Sequence, residues 1–105
     1  MSLEDLRGKI DETDAKIVKL LAERIKIAEE IGKEKKKRGK QILDEGRERE
    51  VLNNIKNIAQ EENVNQEDIA SIYRQIMTVA KSVEGIVVAF QGEIGAYSEE
   101  AAFQF

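Results

Sequence analysis

Apolar side chains recur at steps of three and four along the first third of the chain. Between Leu3 and about Lys37 only Gly8 and Gly32 interrupt this spacing. The recurring positions are Leu3, Leu6, Ile10, Thr13, Ile17, Leu20, Leu21, Ala28 and Ile31. This period predicts one long amphipathic helix, about 50 Å in length at about 1.5 Å per residue, with a single apolar face.

Two shorter helices are predicted after a loop at Gly39. Asp44 is suited to cap the second helix, which would bury Val51, Leu52, Ile55, Ile58 and Ala59. Residues 63–65 predict a turn, and Asn65 would cap the third helix. Its expected buried positions are Ile69, Ile72, Tyr73, Ile76, Ala80 and Val83, with Gly85 as its end. The pattern therefore predicts an all-α domain of three helices over residues 1–84.

The composition changes at Gly85. Residues 85–105 hold no Lys or Arg, but they hold four of the five aromatic residues and three of the seven glycines. The β-branched run at 86–90 predicts a buried strand, and Gly92 and Gly95 predict a turn before a helix that begins at Ser98. We therefore expect a second segment, of a different kind, from residue 85 onward.

The apolar face of the first helix has too little to pack against. The other two helices are shorter, and residues 1–84 contain a single aromatic side chain. A second copy of the chain can bury the same face against itself across a two-fold axis. The sequence therefore predicts a homodimer.

Several charged residues fall on the predicted buried faces. Arg7, Asp14, Arg24 and Lys35 share the angular sector of the apolar face of the first helix. Buried charges cost several kcal/mol each unless they are paired, so they indicate either structural ion pairs or a binding site. Cations outnumber acids here, which favours an anion as ligand.

The other two helices carry charges in similar places. Arg47 and Glu48 precede Val51 and Leu52 by one turn, and Glu84 follows Ala80 by one turn. Each charge also has a plain structural interpretation. Arg7 could extend to water, Arg24 could pair with Glu48 or Asp14, Lys35 belongs to a basic run, and Asp44 could be only a helix cap.

Composition excludes several classes of chemistry. The 105 residues contain no Cys, His, Pro or Trp, which excludes disulfides, zinc fingers and Cys- or His-based catalysis. The net charge of −4 argues against general nucleic-acid binding. No apolar run approaches the roughly 20 residues of a membrane span, and the acidic start is unlike a signal peptide. We therefore expect a cytoplasmic protein with no membrane partner.

The segments LRGKIDETDAKIVKLLAERIKIAEEIGKEK and ILDEGREREVL resemble the all-helical chorismate mutase family. Its members share L-R-x-x-I-D-x-x-D-x-x-[IL]-x-x-L-L-x-x-R, a G-x-x-K and then D-x-x-R-E. The resemblance covers residues 3 to about 84. It implies an intertwined helical homodimer in which the long first helices pair and each active site takes one arginine from the partner chain.

The resemblance also implies roles for individual residues. Arg7 would be the arginine given to the partner's site and Arg24 the arginine of the same chain, both binding substrate carboxylates. Lys35 would bind the ether oxygen and assist with a carboxylate. Asp44 and Glu48 would hold the ring hydroxyl, through backbone and carboxylate respectively.

Three further positions complete the implied site. Arg47 would be a supporting arginine. Ala80 stands where many members have serine, which implies the loss of one polar contact to a carboxylate or its bound water. Glu84 stands where many have a glutamine that hydrogen-bonds the ether oxygen, and only the acid form of a glutamate can donate such a bond.

The implied reaction suits the residues present. Conversion of chorismate to prephenate is an intramolecular [3,3] rearrangement that needs no nucleophile, metal or cofactor, so the resemblance implies none. It does need a dianionic substrate held in a compact conformer, and donors aimed at an ether oxygen that gains negative charge. The expected function is thus that of a chorismate mutase in aromatic amino-acid biosynthesis.

The segment IVVAFQGEIGAYSEEAAFQF resembles the opening strand, loop and helix start of a prephenate dehydratase domain, with its G-x-x-G-x-[YF]-S-E-x-A-A pattern. It ends after about 20 residues of a domain that should be far longer. Residues 85–105 are therefore expected to be a truncated, poorly ordered domain start without dehydratase activity.

Two other functions would use the same residues differently. A non-enzymatic helical dimerisation module would pair Arg7 and Arg24 fully with Asp14 and Glu48 and would leave no cavity. A nucleic-acid-binding helical hairpin would use the basic residues of 33–40, and its affinity would fall steeply with salt.

Overall fold

The chain folds into three α-helices. A computed structural model describes residues 1–38 and 45–90, with side chains described at 1–38 and 46–86. The helices are α1 (Leu3–Arg38), α2 (Glu45–Glu61) and α3 (Gln66–Phe90), and the described ranges contain no strand. The predicted all-α class, with one long helix and two shorter ones, is confirmed.

Local hydrogen bonds explain where α1 begins. The backbone N–H of Asp5 donates to Ser2 Oγ at 3.1 Å, and the backbone N–H of Ser2 donates to Asp5 Oδ2 at 3.3 Å. This reciprocal pair is a capping box, which satisfies amide groups that have no partner within the helix. Four basic residues in the last turn complement the negative end of the helix dipole.

The turn between α2 and α3 is fixed by two asparagines. Asn63 has a positive φ of 59°, a conformation that asparagine tolerates better than most residues. The N–H of Val64 donates to the Ala59 carbonyl at 3.0 Å and that of Asn63 to the Gln60 carbonyl at 3.2 Å, the two bonds of a Schellman motif. Asn65 Oδ1 then accepts from the Asp68 N–H at 2.9 Å. The predicted turn and cap are both confirmed.

The predicted end of α3 is wrong. Gly85 does not end this helix, and residues 86–90 continue it instead of forming a strand. A glycine inside a helix costs only about 1 kcal/mol relative to alanine, and extending a helix that has already nucleated is easy. Without proline, nothing in this stretch prevents the extension. Residues 91–105, with the predicted glycine turn, the Ser98 helix and the poor order, lie outside the described residues, as do Gly39 and Asp44.

α3 is the helix that holds the other two together. It packs against α1 and against α2, whereas within the described ranges the backbones of α1 and α2 do not approach each other closely. The buried side chains are mostly small, namely Ala28, Ala59, Ala70, Met77 and Ala80. Small side chains let the helix backbones approach closely, so the core lies along α3.

Much of the apolar surface remains uncovered in the single chain. Ile10 of α1 is 61% exposed, and Leu3, Leu6, Ile17 and Leu20 are exposed as well. Ile58 of α2 and Ile72 of α3, predicted to be buried, are 52% and 56% exposed, because the packing of α2 on α3 leaves one side of each helix open in the single chain. Among the described residues, no helix combines the length and apolar character that a bilayer span requires.

Candidate active site

All three helices line a cavity of about 420 Å³. Its walls combine apolar and charged side chains: Arg24, Ile27, Ala28, Ile31 and Lys35 from α1, Arg47, Glu48 and Val51 from α2, and Met77, Ala80, Lys81 and Glu84 from α3. On α1 these residues recur at helical spacing, so a single face of the helix forms one wall. The site therefore depends on how α3 positions α1 and α2.

Six of the eight predicted site residues line this cavity, namely Arg24, Lys35, Arg47, Glu48, Ala80 and Glu84. Asp44 lies outside the described residues. Arg7 is exposed and does not line the cavity. It lies 17 residues before Arg24, about 25 Å along a continuous helix, which is too far for its side chain to reach the site of its own chain.

Lys35 and Glu84 form an ion pair between α1 and α3. Lys35 Nζ donates to Glu84 Oε1 at 2.7 Å, and the Glu84 residue is only 8% exposed. A carboxylate this deeply buried needs a partner charge, because desolvation otherwise disfavours it strongly. The pair holds the lysine ammonium in the cavity wall.

A second ion pair joins α2 to α3. Lys81 Nζ lies 2.6 Å from Glu48 Oε1, and both side chains line the cavity. Sequence reasoning missed Lys81 and Met77. The available signal was their helical spacing: Lys81 lies one turn before Glu84 and one turn after Met77, on the same face of α3.

Arg24 stacks on an aromatic ring. Its guanidinium carbon lies 5.8 Å from the centroid of the Tyr73 ring, within cation–π range. In the part of the chain that the structure describes, Arg24 pairs with neither Glu48 nor Asp14, so the purely structural ion pair considered for it is absent. Within the single chain, the cavity and this arginine do not show the full pairing that the dimerisation module would require.

The remaining charges lie nearer the surface. Arg47 contributes to the cavity wall while its side chain is 61% exposed and pairs with Glu50. In the basic run, Lys33 pairs with Glu30 and Arg38 with Glu34, both on the outer surface of α1. These local pairs partly neutralise the run, so they lend no support to a nucleic-acid surface.

The charge balance of the cavity favours a dianion. Four cationic side chains and two carboxylates line it, which leaves two positive charges in excess. Apolar side chains, among them Ile27, Ile31 and Val51, supply the rest of the wall. Such a site fits a small molecule with two carboxylates on a compact hydrocarbon frame.

The sequence matches one protein-family model and two characterised proteins. The sequence model of the family "Chorismate mutase type II" matches residues 6–85. A bifunctional chorismate mutase/prephenate dehydratase of Aquifex aeolicus is 36% identical over 107 residues, covering 98% of this chain and 30% of that protein. A chorismate mutase of Methanocaldococcus jannaschii is 33% identical over 82 residues, covering 78% of this chain and 83% of that protein.

This chain covers very different fractions of the two relatives. It spans less than a third of the length of the bifunctional relative but most of the length of the second. No solved structure gives a significant match. The family match over residues 6–85 nevertheless includes every residue that lines the cavity.

Proposed function

This chain belongs to the type II chorismate mutase family, and from that premise we propose that it rearranges chorismate to prephenate in aromatic amino-acid biosynthesis. The main support is the cavity between the three helices. It unites Arg24, Lys35 and Glu84, residues that the family resemblance makes functional, in a wall with excess positive charge. Family membership and this geometry agree on a dicarboxylate substrate.

Substrate binding is assigned mainly to arginine. Arg24 presents a guanidinium that can bind a carboxylate through two parallel hydrogen bonds, and the Tyr73 ring restricts its orientation. Fixing both carboxylates holds the flexible substrate in the compact conformer from which it reacts. Ala80 has no hydroxyl, so this site lacks the polar contact that a serine would provide.

Transition-state stabilisation is assigned to Lys35 and Glu84. As the C–O bond breaks, the ether oxygen gains negative charge, and a fixed ammonium group stabilises it more in the transition state than in the ground state. The 2.7 Å contact with Glu84 holds the Lys35 ammonium in place before the substrate arrives. Glu84 therefore acts on the reaction through the Lys35 ammonium that it holds.

Glu48 is assigned to the ring hydroxyl. Its carboxylate can accept a hydrogen bond from the hydroxyl O–H, and α2 places this carboxylate in the cavity wall. We assign a backbone contact with the same hydroxyl to Asp44 and a supporting charge to Arg47. No metal or cofactor has a role in this mechanism.

A second copy of the chain would complete each site. The apolar face on the first half of α1 is exposed, and Arg7 lies on that half, about 25 Å from the cavity of its own chain. A further cavity of about 210 Å³ beside Arg24, lined by Leu21, Ile25, Ile76 and Val79 among others, is almost entirely apolar. We propose a homodimer that covers these surfaces and brings Arg7 to the partner's cavity.

Residues 85–105 have no role in the proposed mutase reaction and are assigned separately, to the beginning of a dehydratase-like domain. The alignment with the bifunctional relative covers 98% of this chain, which supports the proposed resemblance of residues 85–105 to the beginning of a dehydratase domain. The mutase reaction uses none of the residues after Glu84. We place this reaction in the cytoplasm.

Direct assay of the purified protein tests the proposal. Chorismate should be consumed and prephenate formed, as followed by chromatography, with a metal chelator present and no cofactor added. Arg24→Ala should lose most of the activity while its helical circular dichroism is retained. Failure of the folded wild-type protein to convert chorismate would contradict the proposed function.

A further inference from the structure

We propose that Lys81 is a positioning residue that fixes and neutralises the Glu48 carboxylate, so that a dianionic substrate can bind beside it. This inference rests on the proposed function and adds a residue to the site. Lys81 is the one charged residue of the described cavity wall that the family motif does not include.

The geometry couples Lys81 closely to Glu48. Lys81 Nζ lies 2.6 Å from Glu48 Oε1, and that oxygen is shielded from solvent and accepts no hydrogen bond within the described ranges. The side chains are 40% and 30% exposed respectively. The contact is therefore an ion pair that acts through charge, and a partly buried pair of this kind is less screened by salt than a surface pair.

Each carboxylate of the cavity is paired with its own lysine. Glu84 is held by Lys35 across α1 and α3, and Glu48 is held by Lys81 across α2 and α3. Without Lys81, the Glu48 charge would face an incoming dianion without a neutralising partner. Like charges at such short range oppose binding, because the cavity wall is less polarisable than water.

Loss of Lys81 should therefore affect substrate binding more than catalysis. The ring hydroxyl that Glu48 holds takes no part in the bonds that break and form. A contact of this kind is equally strong in the ground state and the transition state, so weakening it raises KM and leaves kcat nearly unchanged. If Lys81 had a purely structural role, its loss would reduce the stability of the protein without raising KM at an unchanged kcat.

The chain offers a matched control for Lys81. Lys56 also joins α2 to α3, through an ion pair with Glu67 at 3.2 Å, and lies outside the cavity. Lys81→Met should raise KM about 10-fold with kcat within about 2-fold of wild type, whereas Lys56→Met should leave both constants within about 2-fold. Lys81→Arg should restore KM to within about 3-fold of wild type, because it keeps the charge.

A double-mutant cycle shows whether Lys81 acts through Glu48. In the Glu48→Gln background there is no carboxylate charge to neutralise, so adding Lys81→Met should change KM by less than about 2-fold. An unchanged KM in the single Lys81→Met variant would overturn the inference. The same 10-fold rise in both backgrounds, or an equal rise for Lys56→Met, would also overturn it.

The assay separates this inference from the proposed function. A wild-type protein without mutase activity contradicts the proposed function and this inference with it. An active wild-type protein whose Lys81→Met variant binds chorismate normally contradicts only the role of Lys81.

Discussion

Lys35 and Glu84 face each other across the space between α1 and α3, and this contact distinguishes Lys35 from its neighbours. Lys36 and Lys37 belong to the same basic run, but the ammonium of Lys35 is directed inward by the buried Glu84 carboxylate. Lys37 is exposed on the other side of α1. Position on the helix, and not local charge density, thus decides which lysine can act on the substrate.

Lys35→Gln should reduce kcat/KM by about 100-fold, because it removes a charged contact of roughly 3 kcal/mol in the transition state. The substitution leaves the buried Glu84 charge with only an amide beside it, so some loss of stability should accompany the loss of rate, and the kinetics are measured on protein that retains its helical circular dichroism. Lys37→Gln should leave the rate within about 2-fold of wild type. Steady-state kinetics of both variants test this, and equal losses would show that the basic run acts as a diffuse patch.

Glu84→Gln should preserve or raise kcat/KM. An amide can donate a hydrogen bond to the ether oxygen, whereas a carboxylate can only accept and would repel the developing charge. We therefore expect the variant to show a kcat/KM equal to or above the wild-type value.

Steady-state kinetics of both proteins under the same conditions test this prediction. A loss of kcat/KM of about 10-fold or more in Glu84→Gln, with helical circular dichroism retained, would contradict it.

Helical period is enough to find residues that share a face, but it does not show which partners they meet. Arg24, Lys35 and Glu84 could be assigned to one site because each coincides with an apolar face and with a family motif. Lys81 lies on the same face of α3 and matches no motif, so it was missed. Its role depends on the distance to Glu48, a product of packing between α2 and α3.

At the scale of the elements, α1 is one helix with two environments. Its second half packs on α3, with Ala28 and Gly32 buried, while every residue from Leu3 to Leu20 is exposed in the single chain. A capping box, acidic residues in the first turn and basic residues in the last favour the helix locally. The exposed half therefore relies on local helix stability and, in the proposed homodimer, on the partner chain.

Gly8→Ala should stabilise the protein by about 0.5–1 kcal/mol, because a Cβ atom built at Gly8 has no atom within 4 Å and alanine favours the helix more than glycine does. Denaturant unfolding at one fixed protein concentration measures this change. The reverse substitution at an exposed position of α1, Ala22→Gly, should destabilise by a similar amount. A destabilised Gly8→Ala variant would show that another surface packs against this position in solution.

Helix starts and turns were predictable because they depend on nearby side chains. Asn65 caps α3 at the predicted turn, within which Asn63 adopts the left-handed conformation. The end of α3 was not predictable in the same way. Glycine followed by β-branched residues favours a strand only weakly, and the cooperative extension of a 25-residue helix outweighs that preference.

At the scale of the whole molecule, the proposed site is incomplete in one chain. Within the described ranges, the cavity takes its charges from three helices, and Arg7 lies outside it, on a part of α1 where every residue is exposed. The sequence predicted this uncovered face from the shortage of large apolar side chains. The cavity itself could not be predicted, because its volume depends on how α1 and α2 are spaced along α3.

Mixing two inactive variants tests the shared site. Arg7→Ala and Arg24→Ala homodimers should each be nearly inactive. After subunit exchange, a mixed dimer holds one site with neither substitution and one with both. Random exchange at equal concentrations should restore about one quarter of wild-type activity, since half of the dimers are mixed and half of their sites are intact. No recovery despite demonstrated exchange would contradict a shared site.

The central position of α3 has a consequence for the order of folding. α2 and α3 are joined by a four-residue turn, so their pairing closes a short loop, whereas α1 can reach α3 only across the whole of α2 and its connections. Contacts of low sequence separation form fastest. The α2–α3 hairpin is thus the natural folding nucleus, and α1 docks afterward. A nascent or partly unfolded chain can hold most of its helical structure while it has no binding cavity, because that cavity arises only with the docking of α1.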